Sequence, residues 1–388
     1  MTERPLVVLH RSQRWLKQTK TWIYQQLKWL PDDIEPHVVC DVTENLDQFP
    51  VSHLHSLATR PAWRRRLESL ARRLDVGAAQ FPARVAGSVG ARVLHSHFGP
   101  DAFRNLSIAK AARLRHVVTF YGYDVTRLPM ANPVWRARYA ELFRRVDRVL
   151  CEGPHMRSEL LKLGCAPNKA FVQHLGADFS LLPFRPRSWS QGEPLRVLLA
   201  GSFREKKGFP DAFLALAGLR RHRPELKFEI TVVGDASATP GEQVEKQRIL
   251  GVVAETGLSA HTNFLGYRPY AELLARAQGC HLFLSPSLRA ADGDTEGGAP
   301  VTIVELAASG MPVVSTTHCD IPNVLRGGAA RLLAPERDVE GLSQRLVSLV
   351  DAPSAWAPLL EETRRDIEQR FDAAALGRSL AQHYRDLT

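Results

Sequence analysis

Cysteine is scarce and scattered in this chain. Its five residues (Cys40, Cys151, Cys165, Cys280 and Cys319) show neither pairing nor CxxC spacing, which argues against a disulfide framework and against a structural zinc site. Long apolar runs are missing too. No stretch approaches the roughly 18 consecutive apolar residues that a bilayer-spanning helix needs. The opening Met1–Pro5 leads into a short apolar run, Leu6–His10, without a cleavage-type tripeptide, so it reads as a buried strand and not as a signal peptide. No internal repeat is visible, and no nucleic-acid-binding motif accompanies the basic residues. These absences point to a protein of the cytoplasm, or one held peripherally on the inner face of the cell membrane, with no nucleic-acid partner.

What is present fits a globular protein of two domains. The 388 residues exceed one ordinary core, and 44% hydrophobic with 24% charged residues is a soluble composition. The net charge of +10 is unevenly spread: residues 1–180 carry 27 Lys+Arg against 16 Asp+Glu, leaving 24 against 25 for the remainder. The excess positive charge of the first half points to an anionic partner there, or to a basic solvated surface.

Short β-branched or leucine-rich runs alternate with helical periodicity, the rhythm of doubly wound parallel sheets. Strands are predicted at Leu6–His10, His37–Asp41, Val93–His97, His116–Phe120, Arg148–Glu152 and Ala170–His174, with helices at Thr21–Leu30, Ala102–Leu114 and Trp135–Phe143. The proline-bearing stretch Pro183–Pro194 reads as a linker. The pattern then restarts with strands at Leu195–Ala200, Lys227–Val233, His261–Leu265, Leu282–Ser285, Val313–Ser315 and Ala330–Leu333. Helices at Phe209–Arg221, Glu242–Thr256, Pro269–Ala277, Pro300–Ser309, Val339–Val350 and Ala355–Leu387 complete it. The expected domains are 1–185 and 195–365, with a terminal helix over 366–388 packing back towards the first.

Two segments carry the chemistry. In Ser285–Glu305 a strand leads through a polar loop into a helix starting near Pro300. Gly297, Gly298 and Ala299 let backbone approach a ligand, and the helix start offers free N–H groups to a phosphate. Glu296 and Glu305 bracket the turn, either accepting hydrogen bonds from sugar hydroxyls or standing as solvated acids. In Gly201–Gly208 a basic loop again joins strand to helix: Lys207 can set an ammonium against a diphosphate, and Arg204 offers a planar fork. In the first half, His95-Ser-His97-Phe-Gly and Thr119-Phe-Tyr-Gly-Tyr-Asp124-Val end two strands. They present His97, Tyr121, Gly122 and Asp124 as cleft residues. His95 and His97 point to one side of their strand, yet no third metal ligand accompanies them locally, and His95 reads as a structural histidine.

Together these segments resemble glycosyltransferase family 4 of the GT-B type, in its colanic-acid-like, exopolysaccharide branch. The matching pieces include His95-Ser-His-Phe-Gly, Glu205-Lys-Lys-Gly, Val233-Gly-Asp, Leu265-Gly-Tyr, Glu296-Gly-Gly-Ala-Pro-Val-Thr-Ile-Val-Glu and Ser309-Gly-Met-Pro-Val-Val-Ser-Thr. The resemblance implies two Rossmann-like domains facing a cleft and a retaining, metal-independent transfer from a nucleotide diphosphate sugar to a glycan or lipid-linked acceptor. It implies that Glu305 holds the ribose, Glu296 the donor sugar and Lys207 the diphosphate. His97 joins Lys207 and Glu296 as a catalytic candidate, with Tyr121, Gly122 and Asp124 on the acceptor side. Ser202, Arg204, Gly297, Gly298, Ala299, Pro300 and Arg268 complete the donor side, Arg268 as a contact to the base. Eight residues separate the two glutamates where the family has seven, Ser202 replaces an arginine, and Tyr121 replaces a histidine. A sugar-nucleotide epimerase or hydrolase of the same fold, or a non-enzymatic sugar-binding protein, are the rival readings.

The segment Arg60–Leu74 adds an arginine-rich helix with Trp63, Leu67, Leu70 and Leu74 at helical spacing. It can lie on an anionic membrane surface, or pack its apolar residues on the domain and leave the arginines solvated.

Overall fold

The computed structural model describes residues 4–17 and 20–388. The chain forms two units. One comprises the residues up to Asp178 together with Phe371–Thr388, and the other Phe179–Arg370.

The first unit is built on seven parallel strands: β1 (Leu6–Arg11), β2 (Ile34–Cys40), β3 (Leu54–Ser56), β4 (Val93–His97), β5 (Arg115–Phe120), β6 (Arg148–Cys151) and β7 (Ala170–Val172). Their spatial order is β3-β2-β1-β4-β5-β6-β7. The second unit repeats the plan with β8 (Leu195–Ala200), β9 (Phe228–Val233), β10 (Thr262–Phe264), β11 (Leu282–Ser285), β12 (Val313–Thr316) and β13 (Leu333–Ala334) in the order β10-β9-β8-β11-β12-β13. Parallel sheets have both faces covered by crossover helices, which is why these strands read as nearly continuous apolar runs. Val117, Val118, Val149 and Leu150 are wholly buried in one sheet; Val197, Leu198, Leu282 and Phe283 are wholly buried in the other. No helix among the described residues is long and apolar enough to cross a membrane.

Several boundaries depart from the sequence reading for identifiable reasons. The predicted helix Ala102–Leu114 is two helices, Gly99–Arg104 and Leu106–Ala111. It breaks at buried Asn105, whose amide donates to the Ser96 hydroxyl at 3.0 Å. The predicted helix Ala355–Leu387 breaks at Asp372, whose carboxylate caps the final helix, Ala373–Arg385, by accepting from Ala375 N–H at 2.8 Å. The predicted strand at Ala330–Leu333 is mostly a 3₁₀ turn, Gly327–Leu332, begun by Gly327 at φ 53°. Pro183–Pro194 is no free linker: Arg185 and Arg187 N–H donate to the carbonyls of Ser309 and Gly310 at 3.0 and 2.8 Å within the second unit.

Candidate active site

In an open parallel sheet, ligands bind beyond the carboxyl ends of the strands, where the strand order reverses. In the second unit that point lies between β8 and β11, and the segments leaving these two strands are the two the sequence singles out. Gly208 stands at φ 64°, and a Cβ there would lie 2.0 Å from the Pro286 carbonyl oxygen. Only glycine lets the two loops close to this distance. Further bonds zip them together: Leu288 N–H donates to the Lys206 carbonyl at 2.9 Å, and Lys206 Nζ donates to the Thr295 carbonyl at 2.7 Å.

Charge is concentrated between the loops. Lys207 Nζ lies 2.8 Å from Glu296 Oε1, which also accepts from the Ser287 hydroxyl at 3.2 Å. Lys206 Nζ stands 3.4 Å from Asp294 and 3.8 Å from Glu296, while Arg204 reaches Asp294 at 3.3 Å and Glu242 at 3.6 Å. Burial alone would raise the Glu296 carboxyl, but the ammonium groups of Lys207 and Lys206 hold it down at about 2. Its backbone N–H donates to His318 Nε2 at 3.1 Å, and His318 Nδ1 lies 2.7 Å from Glu336. His318 thus accepts at Nε2 while its Nδ1 faces the Glu336 carboxylate. The result is a prepaid electrostatic cradle of three cations whose counter-charges come from the protein itself.

Glu305 lies in the helix Val301–Ala308, and Pro300 (φ −54°, ψ 128°) caps that helix instead of opening its first turn. Gly297, at φ 83°, forms the bend that turns the chain from Glu296 into the helix. Gly298 and Pro300 are buried and Ala299 is half-buried. The side chain of Glu305 is buried and accepts one bond, from Tyr270 Oη at 2.8 Å. Burial pushes its carboxyl up to about 7, with Tyr270 opposing. Ser202 and Arg204 are half-buried on the basic loop, whereas Arg268 is exposed and pairs with Glu272 at 3.6 Å.

The first unit shows a second cluster at its own reversal point, between β1 and β4. His97, Tyr121 and Asp124 are all buried, not presented on an open face. Asp124 organises its own turn, accepting from Gly99 and Tyr121 N–H at 2.9 and 3.1 Å, and burial pushes its carboxyl up to about 6. Gly122, at φ 116°, permits that turn. Tyr121 Oη lies 2.6 Å from His97 Nδ1, and His97 Nε2 lies 3.2 Å from His10 Nδ1. His10, in register with His95 on the adjacent strand, is the third histidine that local spacing did not show. The three offer ring nitrogens within 4.8 Å of one another, but His95 is satisfied by Tyr384 Oη and Thr119 Oγ1, both at 2.7 Å. Burial pushes His10 down to about 3 and His97 well below its usual range, so these rings are neutral at physiological pH.

The profile described as glycosyl transferases group 1 matches residues 184–370, and that of glycosyltransferase family 4 matches residues 20–181. The chain is a family 4, group 1 glycosyltransferase. Among its relatives, the Escherichia coli K12 protein named WcaL, a colanic acid biosynthesis glycosyltransferase, is 29% identical over 76% of this chain and 71% of its own length. The amylovoran biosynthesis glycosyltransferase AmsK of Erwinia amylovora is 28% identical over 78% and 72%. Among solved structures, Anabaena HepE in complex with UDP and glucose superposes with a TM-score of 0.75 over 98% of this chain and all of that one, at 16% identity. Sucrose-phosphate synthase from Thermosynechococcus elongatus gives 0.73, also at 16%, over 98% and 99%. The fold is GT-B.

Several residues of the candidate site were not singled out by sequence reasoning. Lys206, Ser287, Asp294 and His318 all touch Glu296 or its cationic partners. Lys206 and Asp294 were visible as neighbours of marked residues. His318 follows β12 and has no local signal; only the sheet brings it to Glu296.

Proposed function

We propose that the enzyme transfers a sugar from a nucleoside diphosphate donor to a glycan or lipid-linked acceptor in exopolysaccharide biosynthesis, with retention of anomeric configuration and without a metal ion. A lipid-linked acceptor would bring it to the anionic inner face of the cell membrane from the cytoplasm. The observation that carries this reading is the pairing of a basic loop (Arg204, Lys206, Lys207) with a glutamate-bracketed helix start at one sheet reversal. HepE, which shares the fold, is known in complex with UDP and glucose, and WcaL and AmsK are named for exopolysaccharide synthesis.

As the sugar C1–O bond to the diphosphate breaks, negative charge builds on the departing phosphates. Lys207, with Lys206 and Arg204 behind it, stabilises that charge most at the transition state, which is what accelerates the step. Glu296, drawn off Lys207, is then available to the donor sugar, and Glu305 to the ribose hydroxyls. Gly297, Gly298, Ala299 and Pro300 supply close backbone approach, Ser202 borders the diphosphate and Arg268 reaches the base. In the first unit, this reading gives the acceptor side to His97, to Tyr121 hydrogen-bonded to it, and to the turn formed by Gly122 and Asp124. Three protein cations do the work a divalent metal does in other transferases. The groups of His and carboxylate residues close enough to share an ion, His10/His95/His97 and Glu35/His37/His53, belong to the first unit among the described residues.

The test is transfer from the cognate nucleotide sugar in the presence of EDTA, with the product anomer assigned by NMR. Undiminished turnover and retained configuration are expected. An inverted product, or activity that EDTA abolishes and magnesium restores, would refute the mechanism.

A further inference from the structure

The helix Ala62–Arg73 is turned inside out. Helices on a domain surface normally bury their apolar stripe and expose their charges. Here the residues facing the protein are Glu68, 1% exposed, and Ala71. Trp63, Leu67 and Leu70, with Leu74 just beyond the helix, are 58%, 53%, 52% and 65% exposed. At 3.6 residues per turn these four fall within about 60° of one another, with Glu68 about 100° or more round the helix from each.

A built ionic network holds this orientation. Glu68 accepts from the Phe81 backbone N–H and from Arg72 Nε, the latter at 2.8 Å. Arg72 also forks onto Asp41 at 2.7 and 3.0 Å, and Asp41 pairs with Arg11 at 2.8 Å. Arg11 ends β1, next to His10. The polar side of the helix is thereby fastened to the carboxyl edge of the sheet that carries His97 and Tyr121. Leucine inward would have been the ordinary outcome; here the inward place is taken by the hydrogen-bonded carboxylate of Glu68.

The flanks of the stripe identify what covers it. Arg64, Arg65, Arg66 and Arg73 are exposed. On the same helical wheel Arg66 and Arg73 border one side and Arg64 the other, with the Arg64 guanidinium 5.0 Å over the Trp63 ring. An apolar stripe ended by tryptophan and lined by arginines complements a surface that is apolar inside and anionic at its rim. Residues 1–180 also hold the whole positive excess of the chain, 27 against 16. We infer that Trp63, Leu67, Leu70 and Leu74 insert among the lipids of an anionic bilayer while the flanking arginines bind its phosphate headgroups, bringing the carboxyl edge of the first sheet to the membrane. This rests on the lipid-linked acceptor reading for its purpose, but not for the binding itself.

Sedimentation of the full chain with phosphatidylcholine vesicles, with and without phosphatidylglycerol, tests it. Binding is expected only to the anionic vesicles. The triple variant Arg64→Gln, Arg66→Gln, Arg73→Gln should lower the partition coefficient about 100-fold at low ionic strength, and Trp63→Ser with Leu67→Ser and Leu70→Ser should abolish binding. All six positions are exposed, so unchanged circular dichroism is expected throughout. Failure of the wild type to bind at low salt, or serine variants that bind like wild type, would overturn the inference. So would a wild-type dimer in light scattering that the serine variants dissolve, which would assign the stripe to a second copy of the chain. Nucleotide-induced thermal shifts of the wild type separate the two readings: no vesicle binding with nucleotide binding intact refutes only the docking surface, and vesicle binding without nucleotide binding refutes only the transferase site.

Discussion

Glu296 and Glu305 stand nine positions apart, and their surroundings drive them in opposite directions. Glu296, against two ammonium groups, is held at about 2, while Glu305, buried with one tyrosine donor, is pushed up to about 7. Glu296 therefore contributes stability that is present above the ordinary carboxyl value and is lost as pH falls towards 2. For Glu305 the folded state binds the extra proton between its ordinary value and about 7, so stability falls as pH rises across that window. Ribose hydroxyls, by donating to the ionised form, would offset that cost when donor binds. Two outcomes follow. Nucleotide affinity measured by calorimetry weakens as pH drops below 7, approaching tenfold per unit as one proton competes. The variant Glu305→Gln flattens that profile and has a higher melting temperature than wild type at pH 8 but not at pH 4. A wild-type affinity independent of pH between 5 and 8 would remove Glu305 from the ribose site.

At the scale of elements, the two donor loops act as one unit because glycine lets them touch. Gly208→Ala places a methyl group 2.0 Å from the Pro286 carbonyl oxygen and strains a residue at φ 64°. The expected cost is about 1–3 kcal/mol of stability in denaturant titration, with weakened nucleotide binding because Lys207 is displaced from Glu296. A variant as stable and as tight as wild type would show that the loops are not coupled. Elements were legible wherever period and punctuation agreed. Leu195–Ala200, Val93–His97 and Leu282–Ser285 lie as the sequence predicts, each a short run opened by apolar residues or β-branched ones and stopped by a turn. Breaks made by side chains reaching elsewhere were not legible: Asn105 bends towards Ser96, and Asp372 caps a new helix. The site divides in the same way. Lys207, Glu296 and Glu305 stand in local motifs, whereas His318 and His10 reach their partners only through pairing of distant strands. The arginine-rich helix was visible as an amphipathic pattern, but which face turned inward depended on Glu68 finding the Phe81 N–H, a contact no periodicity contains.

At the scale of the whole molecule, the chain divides its work between two sheets of the same winding. The second carries the cationic loops and the paired glutamates. The first carries the buried histidine cluster, the outward apolar helix and the positive excess. The final helix belongs to the first unit, where Leu380, Ala381 and Tyr384 join the core with Val8, Val93 and Val117, and a Cβ on Gly377 would meet the Trp29 carbonyl at 1.9 Å. The central claim is that the second unit holds a nucleotide diphosphate through Lys207 and Glu305. Ligand that binds only the folded chain raises its unfolding temperature, so the direct measurement is the melting temperature of wild type, Lys207→Ala and Glu305→Ala against UDP, GDP, ADP, dTDP and their sugar conjugates in EDTA. The account predicts that one nucleotide series stabilises the wild type and that both variants lose most of the shift, with turnover of Lys207→Ala falling about 100- to 1,000-fold. No stabilisation by any nucleotide, or equal stabilisation of all three proteins, would contradict it.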